Sequence, residues 1–344
     1  MKIVLKKVNL LNPYQKLNQK DDLLIEDGII KKIGGVKEDD LKSAKVFEFD
    51  NKFCVPGFFD MHVHLREPGR EDEETVLTGS NAAAAGGFTG VACMPNTSPS
   101  IDSAEVVRFI KEKAKDHLVD VFPIGAATLS RKGEAIAPMF ELHEAGTVGF
   151  SDDGVAIKTA AVLRNVLEYS KMFGAPVIEH CEDESLADGA MNESLTSTQL
   201  GLPGIPSVAE DLIVYRDIMM AEYLGAKIHI AHISTKNAVD LVRQAKKKGI
   251  KVTAEVTPHH FTLADESLKN YDTNYKMNPP LRTRADVNAM LEGLKDGTID
   301  CIASDHAPHS IEEKEMEFIF APNGILGLET EVALTISELV HKKH

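Results

Sequence analysis

Gly57-Phe58-Phe59-Asp60-Met61-His62-Val63-His64-Leu65-Arg66 joins an apolar run to a cluster of imidazole, carboxylate and guanidinium groups. The same design recurs along the chain. Residues 57–61, 89–94, 119–124, 148–151, 176–179, 227–231, 251–256 and 300–303 are eight short apolar runs. Helix-like segments lie between them, at residues 103–116, 159–173, 208–224, 235–248 and 285–295. Ser103 and Thr235 stand where helix caps are expected. Eight strands alternating with helices predict an α/β fold, a (β/α)8 TIM-like barrel. A doubly wound open sheet is the competing fold. It lacks its usual support, because no strand leads into G-x-G-x-x-G or a P-loop.

Working outward, the barrel takes residues 56–344. Residues 1–55 read as a small β subdomain. Within it, residues 23–33 form a hairpin about Asp27-Gly28. No internal repeat or low-complexity segment interrupts either part.

A parallel barrel gathers its chemistry at the carboxyl ends of its strands. Those ends carry His62, His64, Asp153, His180, His232 and Asp305. Side chains at i and i+2 of a strand share a face, so His62 and His64 can share one metal ion. A lone strand-end histidine is more often a hydrogen-bonded structural residue. The joint placement of these residues on one barrel face is what points to metal. Imidazoles with carboxylates suit zinc, with manganese or cobalt as substitutes, and this set is large enough for two ions. The remaining histidines divide otherwise. His117, His143, His341 and His344 are expected in solvent, His229 in the core, His259 and His260 in structural loop roles, and His306 turned away from Asp305.

Composition narrows the partners. A formal net charge of −15 argues against nucleic acid and acidic membranes. No signal peptide or membrane-length apolar run is evident. Cys54, Cys93, Cys181 and Cys301 form no paired motif and read as reduced thiols of a cytoplasmic protein.

Asp60-Met61-His62-Val63-His64-Leu65-Arg66-Glu67-Pro68-Gly69 resembles the first metal motif of the dihydroorotases. Met94-Pro95-Asn96-Thr97, Lys276-Met277-Asn278-Pro279-Pro280-Leu281-Arg282 and Ser304-Asp305-His306-Ala307-Pro308-His309 are similar to three more motifs of that family. The resemblance runs from the N-terminal sheet to about Glu331. It implies reversible zinc-dependent hydrolysis of dihydroorotate to N-carbamoyl-L-aspartate, in pyrimidine (UMP) synthesis. It implies two Zn2+ ions with a hydroxide between them, His62, His64 and Asp305 on one ion and His180 and His232 on the other. Asp153 would bridge them, as in the subgroup with an aspartate where many relatives have a carbamylated lysine; Asp152 is the alternative bridge. Arg66, Asn96, Asn278 and His309 would bind the substrate, and Asp305 would be the catalytic base and acid. Residues 310–323 read as a mobile lid.

Relatives continue past the last barrel helix and return to complete the N-terminal sheet. A chain ending at His344 is therefore expected to be a C-terminally truncated form with exposed sheet edges. The resemblance leaves assembly open between a homodimer and a complex with aspartate transcarbamoylase. Two other functions compete. One is another cyclic amidohydrolase, an allantoinase or dihydropyrimidinase, against which Arg66 and Asn96-Thr97 argue. The other is a non-catalytic partner of aspartate transcarbamoylase, against which the complete ligand set argues.

Overall fold

The computed structural model describes all 344 residues. They form two compact units, Met1–Phe58 and Phe59–His344.

The smaller unit is a sheet in the order Ile29–Ile33, Leu17–Glu26, Lys2–Asn12, Lys45–Glu48, with Phe53–Cys54 also on Lys2–Asn12. Glu26 pairs with Ile29 across Asp27-Gly28, whose φ angles of 50° and 77° are those of a type I′ turn. Its buried core is Val8, Leu10 and Leu23. Ile29, Ile30 and Ile33 on the outer strand are exposed.

The larger unit is a closed parallel barrel. Its strands are Phe58–Val63, Phe88–Cys93, Asp120–Pro123 continuing as Gly125–Ala126, Phe150–Ser151, Val177–Glu179, Ile228–Ile230, Val252–Val256 and Cys301–Ile302. The third strand breaks at Ile124, whose N–H turns back to Cys93 O at 2.9 Å. Its first half pairs with the second strand and its second half with the fourth. The ring closes where Val63 bridges His306 in parallel and His64 N–H donates to His306 O at 2.9 Å. The first strand runs on through His62 and Val63, beyond the end expected at residue 61.

Outer helices follow the strands, and local chemistry starts and stops them. Thr75, Thr159 and Thr235 accept from Thr78, Val162 and Ala238 N–H at the starts of Val76–Gly86, Ala160–Ser170 and Lys236–Lys247. Gly225, at φ 60°, ends Val208–Leu224. Lys236–Lys247 buries Ala238, Val239, Val242 and Ala245, a single helical stripe. Val76–Gly86, Met139–Ala145 and Glu331–Thr335 are helices the apolar spacing did not reveal. No helix is long and apolar enough to cross a membrane.

Strand alternation separates two cores and thereby aims the site. Val63, Val91, Val177, Cys181, Ile228, Ile230, Ile233, Ala254 and Val256 pack in the larger cluster with the helices. Ala92, Met94, Ile124, Ile178 and Ala231 form a second, smaller cluster inside the barrel. His62, His180, His229 and Glu255 alternate with members of the larger cluster and therefore face inward with the second, whereas His232 follows inward-facing Ala231 at a break in the strand, with φ 29°.

Candidate metal centre and substrate pocket

His62, His64, Asp153, His180, His232 and Asp305 converge, each at most 5% exposed. Asp153 stands in the middle. Its Oδ1 lies 3.4 Å from His62 Nε2, 3.6 Å from His232 Nε2 and 3.8 Å from His180 Nδ1, and its Oδ2 is 3.5 Å from His64 Nε2. Asp305 Oδ1 is 2.9 Å from His64 Nε2 and 3.4 Å from His62 Nε2. His180 Nδ1 faces His232 Nε2 at 3.0 Å. Asp152 points elsewhere, accepting from Thr128 N–H at 2.9 Å and from its hydroxyl.

These residues fit metal ions. Two ligand atoms on one tetrahedral zinc, each about 2.1 Å from it, stand roughly 3.4 Å apart, the scale seen here. His62 Nε2 and Asp153 Oδ1 are buried with no hydrogen-bond partner, an arrangement that costs stability unless a ligand satisfies it. The field also favours positive charge. Burial by itself would make His62 less basic, but Asp153, Glu255 and Asp305 outweigh it and raise its pKa well above the ordinary value. Burial opposes ionisation of Asp153 too, yet His62, His232 and His64 hold it well below the usual carboxylate range.

Neighbours fix the histidine tautomers. His62 Nδ1–H donates to Glu255 Oε1 at 2.6 Å, and His64 Nδ1–H donates to Asn96 Oδ1 at 2.8 Å. Each bond leaves an Nε2 lone pair aimed at the centre. Glu255 also accepts from His229 Nε2–H at 3.1 Å and from His232 N–H at 3.2 Å. Below them Asp60 accepts from His62 N–H at 3.1 Å and from Ser304.

A cavity of about 180 Å³ opens over the cluster, lined further by Arg66, Asn96, Asn278, His309 and Asn323. Arg66 Nε–H donates to Pro308 O at 3.0 Å and stands 3.3 Å from Glu73 Oε2. Glu73 Oε1 also lies 2.7 Å from His309 Nδ1, while His309 Nε2–H donates to Asn323 O at 2.8 Å. Burial pushes the Glu73 carboxyl up to about 7 against the pull of Arg66 and Arg70. Burial, then Arg66, brings His309 down to about 4. Asn278 Nδ2–H donates to Glu182 Oε2 at 3.0 Å, while its Oδ1 is buried without a partner. Gly154, at φ +87°, closes the floor, where a Cβ would meet Arg131 Nη2 at 3.1 Å. Arg66, His232 and Asp305 have φ of 56°, 29° and 47°. Such left-handed backbone in non-glycine residues is strained and gathers at functional sites.

Asn96 thus spends its carbonyl on His64, leaving only its amide nitrogen for a ligand. Glu255, Asp60, Glu73 and Glu182 escaped the sequence reading. Glu255 had a legible signal, a carboxylate inside the apolar strand Val252–Val256, since a buried charge must be paired. His143, expected in solvent, stacks on Phe173 at 4.8 Å. His117 Nε2–H donates to Asn81 Oδ1 at 3.0 Å. His229, His260 and His306 lie where expected: His229 between Thr253 and Glu255, His260 between Thr257 and Pro279 O, His306 turned to Glu74. Segment 310–323 borders the cavity through Asn323 and is tied down by Lys276 Nζ to Ile319 O and Ala321 O. Burial raises the Cys93 thiol to about 12 and Cys181 well above its usual value, so neither is a thiolate at neutral pH.

Comparison with known proteins places the chain in a family. Residues 51–238 match the family model described as Dihydro-orotase-like. The dihydroorotase of Pelotomaculum thermopropionicum is 51% identical over 341 residues, covering 99% of this chain and 79% of its own. That of Acetivibrio thermocellus is 49% identical over 344 residues, covering 99% and 80%. Among solved structures, the L-hydantoinase (dihydropyrimidinase) of Arthrobacter aurescens superposes with a TM-score of 0.84 at 23% identity, over 99% of this chain and 77% of that one. At that identity it speaks for the barrel fold alone. The sequence relatives carry the assignment further: this chain belongs to the dihydroorotases, metal-dependent cyclic amidohydrolases.

Proposed function

We propose that the pocket interconverts dihydroorotate and N-carbamoyl-L-aspartate, a step of pyrimidine synthesis, with two zinc ions in place. One observation carries the reading: a half-buried guanidinium, Arg66, opens into the same cavity as the six-residue ligand cluster. A ring amide with a neighbouring carboxylate asks for both.

His62, His64 and Asp305 would hold one ion, His180 and His232 the other, with Asp153 between them. When bound, such a pair supplies Lewis acidity that acidifies water and polarises the ring carbonyl. The chain's own groups do the rest. Arg66 keeps Nε on Pro308 O and has only a 3.4 Å contact from Nη2 to His309 Nε2, so its terminal nitrogens can grip the carboxylate in two parallel hydrogen bonds. The Asn96 amide nitrogen and His309 complete that grip. Asn278 Oδ1 lacks a donor and takes one from a ring N–H. Asp305 accepts the proton of the attacking water and passes it to the ring nitrogen as the C–N bond breaks. Ring closure runs the same transfer backwards.

Dihydroorotate turnover, with metal counted on the same sample, tests the proposal. Chelation should lower the rate at least 100-fold and zinc should restore it. Turnover indifferent to chelation, or none with about two ions bound, would refute it. Arg66→Lys should lower kcat/KM for dihydroorotate by about 10–100-fold, mostly through KM, because a point charge replaces a bidentate fork. Slow hydrolysis of dihydrouracil, which has no carboxylate, should not change. An equal loss on both substrates would remove Arg66 from the carboxylate site.

A further inference from the structure

The loop after the first barrel strand buries Glu73 beside Arg66, leaving its side chain 2% exposed. Four ionisable side chains face it. Two come from its own loop, Arg66 Nε at 3.3 Å from Oε2 and Arg70 Nη2 at 3.2 Å from Oε1. His309, from the loop after the last strand, brings Nδ1 to 2.7 Å from Oε1. Glu313, on the short helix Ile311–Lys314, shares Arg70 with it. The charge of Arg70 is largely spent, since Asp72 and Glu313 stand 3.0 and 2.8 Å from Nη2. The charge of Arg66 is balanced chiefly by Glu73, so the state of this one carboxyl matters to the pocket.

Counting hydrogens shows what that state is. A carbonyl oxygen only accepts, so the 2.8 Å contact from His309 Nε2 to Asn323 O places a hydrogen on Nε2. Nδ1 then meets a carboxyl oxygen at 2.7 Å. Two bare lone pairs do not approach so closely, and one proton must lie between them. We propose that Glu73 and His309 hold this proton in common, and that its presence decides how much of the Arg66 charge is left for a substrate carboxylate. The proposal rests on the dihydroorotate reading of the pocket. With the proton in place the pair is neutral, whichever atom carries it, and Arg66 faces the cavity with its charge unspent. When the proton leaves to water, a bare carboxylate stands against Arg66. It then competes with the substrate carboxylate for one guanidinium. Burial, aided by Glu313, holds the proton on against Arg66 and Arg70, and the balance falls at about 7. Burial and the nearby charges of Arg66 and Lys314 keep His309 from carrying it as a cation, which leaves it on Glu73. Glu73 is thus a positioning residue, acting on the substrate through Arg66, and the grip on the carboxylate weakens as pH rises through neutrality.

The test compares zinc-loaded wild type with Glu73→Gln between pH 6 and 8.5, on dihydroorotate and on dihydrouracil. The carboxamide keeps the contacts, its N–H donating to His309 Nδ1 and its carbonyl facing Arg66, but it has no proton to lose. Ionisations at the metal centre are common to both proteins and cancel in the ratio of their kcat/KM values. For dihydroorotate the ratio of variant to wild type should rise about tenfold across this range, through KM, with its midpoint near pH 7. For dihydrouracil, which has no carboxylate, the ratio should stay flat. A flat ratio on dihydroorotate, or an equal rise on both substrates, would overturn the proposal and leave the function standing. No dihydroorotate turnover by the wild type would overturn both together. If Glu73→Gln fails to fold, the wild type alone decides, since its KM must rise with pH on dihydroorotate and not on dihydrouracil. The proton is also visible without substrate. The Glu73 carboxyl carbon, assigned in 13C NMR by its loss in Glu73→Gln, should titrate near 7. Titration below about pH 5, in the ordinary carboxylate range, would overturn the proposal.

Discussion

Asp305→Asn should lower kcat for dihydroorotate by roughly 100–10,000-fold, with KM changed far less. The argument begins with ionisation. Burial alone would keep this carboxyl protonated, but His62 and His64 outweigh burial and hold it at about 2. It is therefore a carboxylate at neutral pH, able to take a proton. Once protonated it is acidic enough to return that proton to a poorly basic ring nitrogen. Its position suits the task, because Oδ1 lies 2.9 Å from His64 Nε2 at the cavity wall. A carboxamide keeps the shape and one acceptor oxygen but cannot carry the proton. Arg66 and Asn278, proposed to grip the substrate, are untouched. Metal content must be measured beside the rate, since Asp305 is also a proposed ligand. Turnover within tenfold of wild type at equal metal content would take the proton transfer away from Asp305.

The barrel was legible because a strand buried on both faces leaves a compact apolar run, and eight such runs separated by helical lengths fit few other folds. The helix Val208–Leu224 matched its expected bounds. Val76–Gly86 did not show, because its buried face is Val76, Gly79, Ser80 and Ala83, small residues that give no apolar period. The six residues of the central cluster were legible for a related reason. A closed parallel barrel brings all strand ends to one mouth, so sequence position fixes spatial position there. Below the mouth that rule fails. Glu255 and His229 lie within their strands, and whether they face the helices or the interior depends on register. His229 reads in sequence as a core residue, and only the fold makes it a partner of Glu255. The loop groups Glu73 and Glu182 were harder still, since tertiary folding alone brings Glu73 to Arg66 and Glu182 to Asn278. The choice between Asp152 and Asp153 was also tertiary. Thr128 captures the first and leaves the second facing the histidines.

Glu255 gives the second large effect, and its two substitutions should part company. The side chain is fully buried and ties together the first, sixth and seventh strands through His62, His229 and the His232 backbone. Burial resists its ionisation, but His62 and His229 together hold it far below the ordinary glutamate range. Glu255→Ala leaves His62 Nδ1–H and His229 Nε2–H buried without acceptors and opens a void. Losing one partner of a buried charged network typically costs about 3–5 kcal/mol, so denaturant unfolding should shift by that order. Glu255→Gln is gentler on the fold. Its carbonyl can still accept from His62. Its amide can face His229 once that ring moves its proton to Nδ1, where Thr253 Oγ1 waits at 2.8 Å. What Gln cannot supply is the negative charge that makes the His62 Nε2 lone pair more basic. Glu255→Gln should therefore fold nearly as well as wild type yet bind metal about 10–100-fold more weakly in a chelator competition. Wild-type metal affinity in Glu255→Gln would show that Glu255 only packs the barrel floor. Wild-type stability in Glu255→Ala would show that it does not do even that.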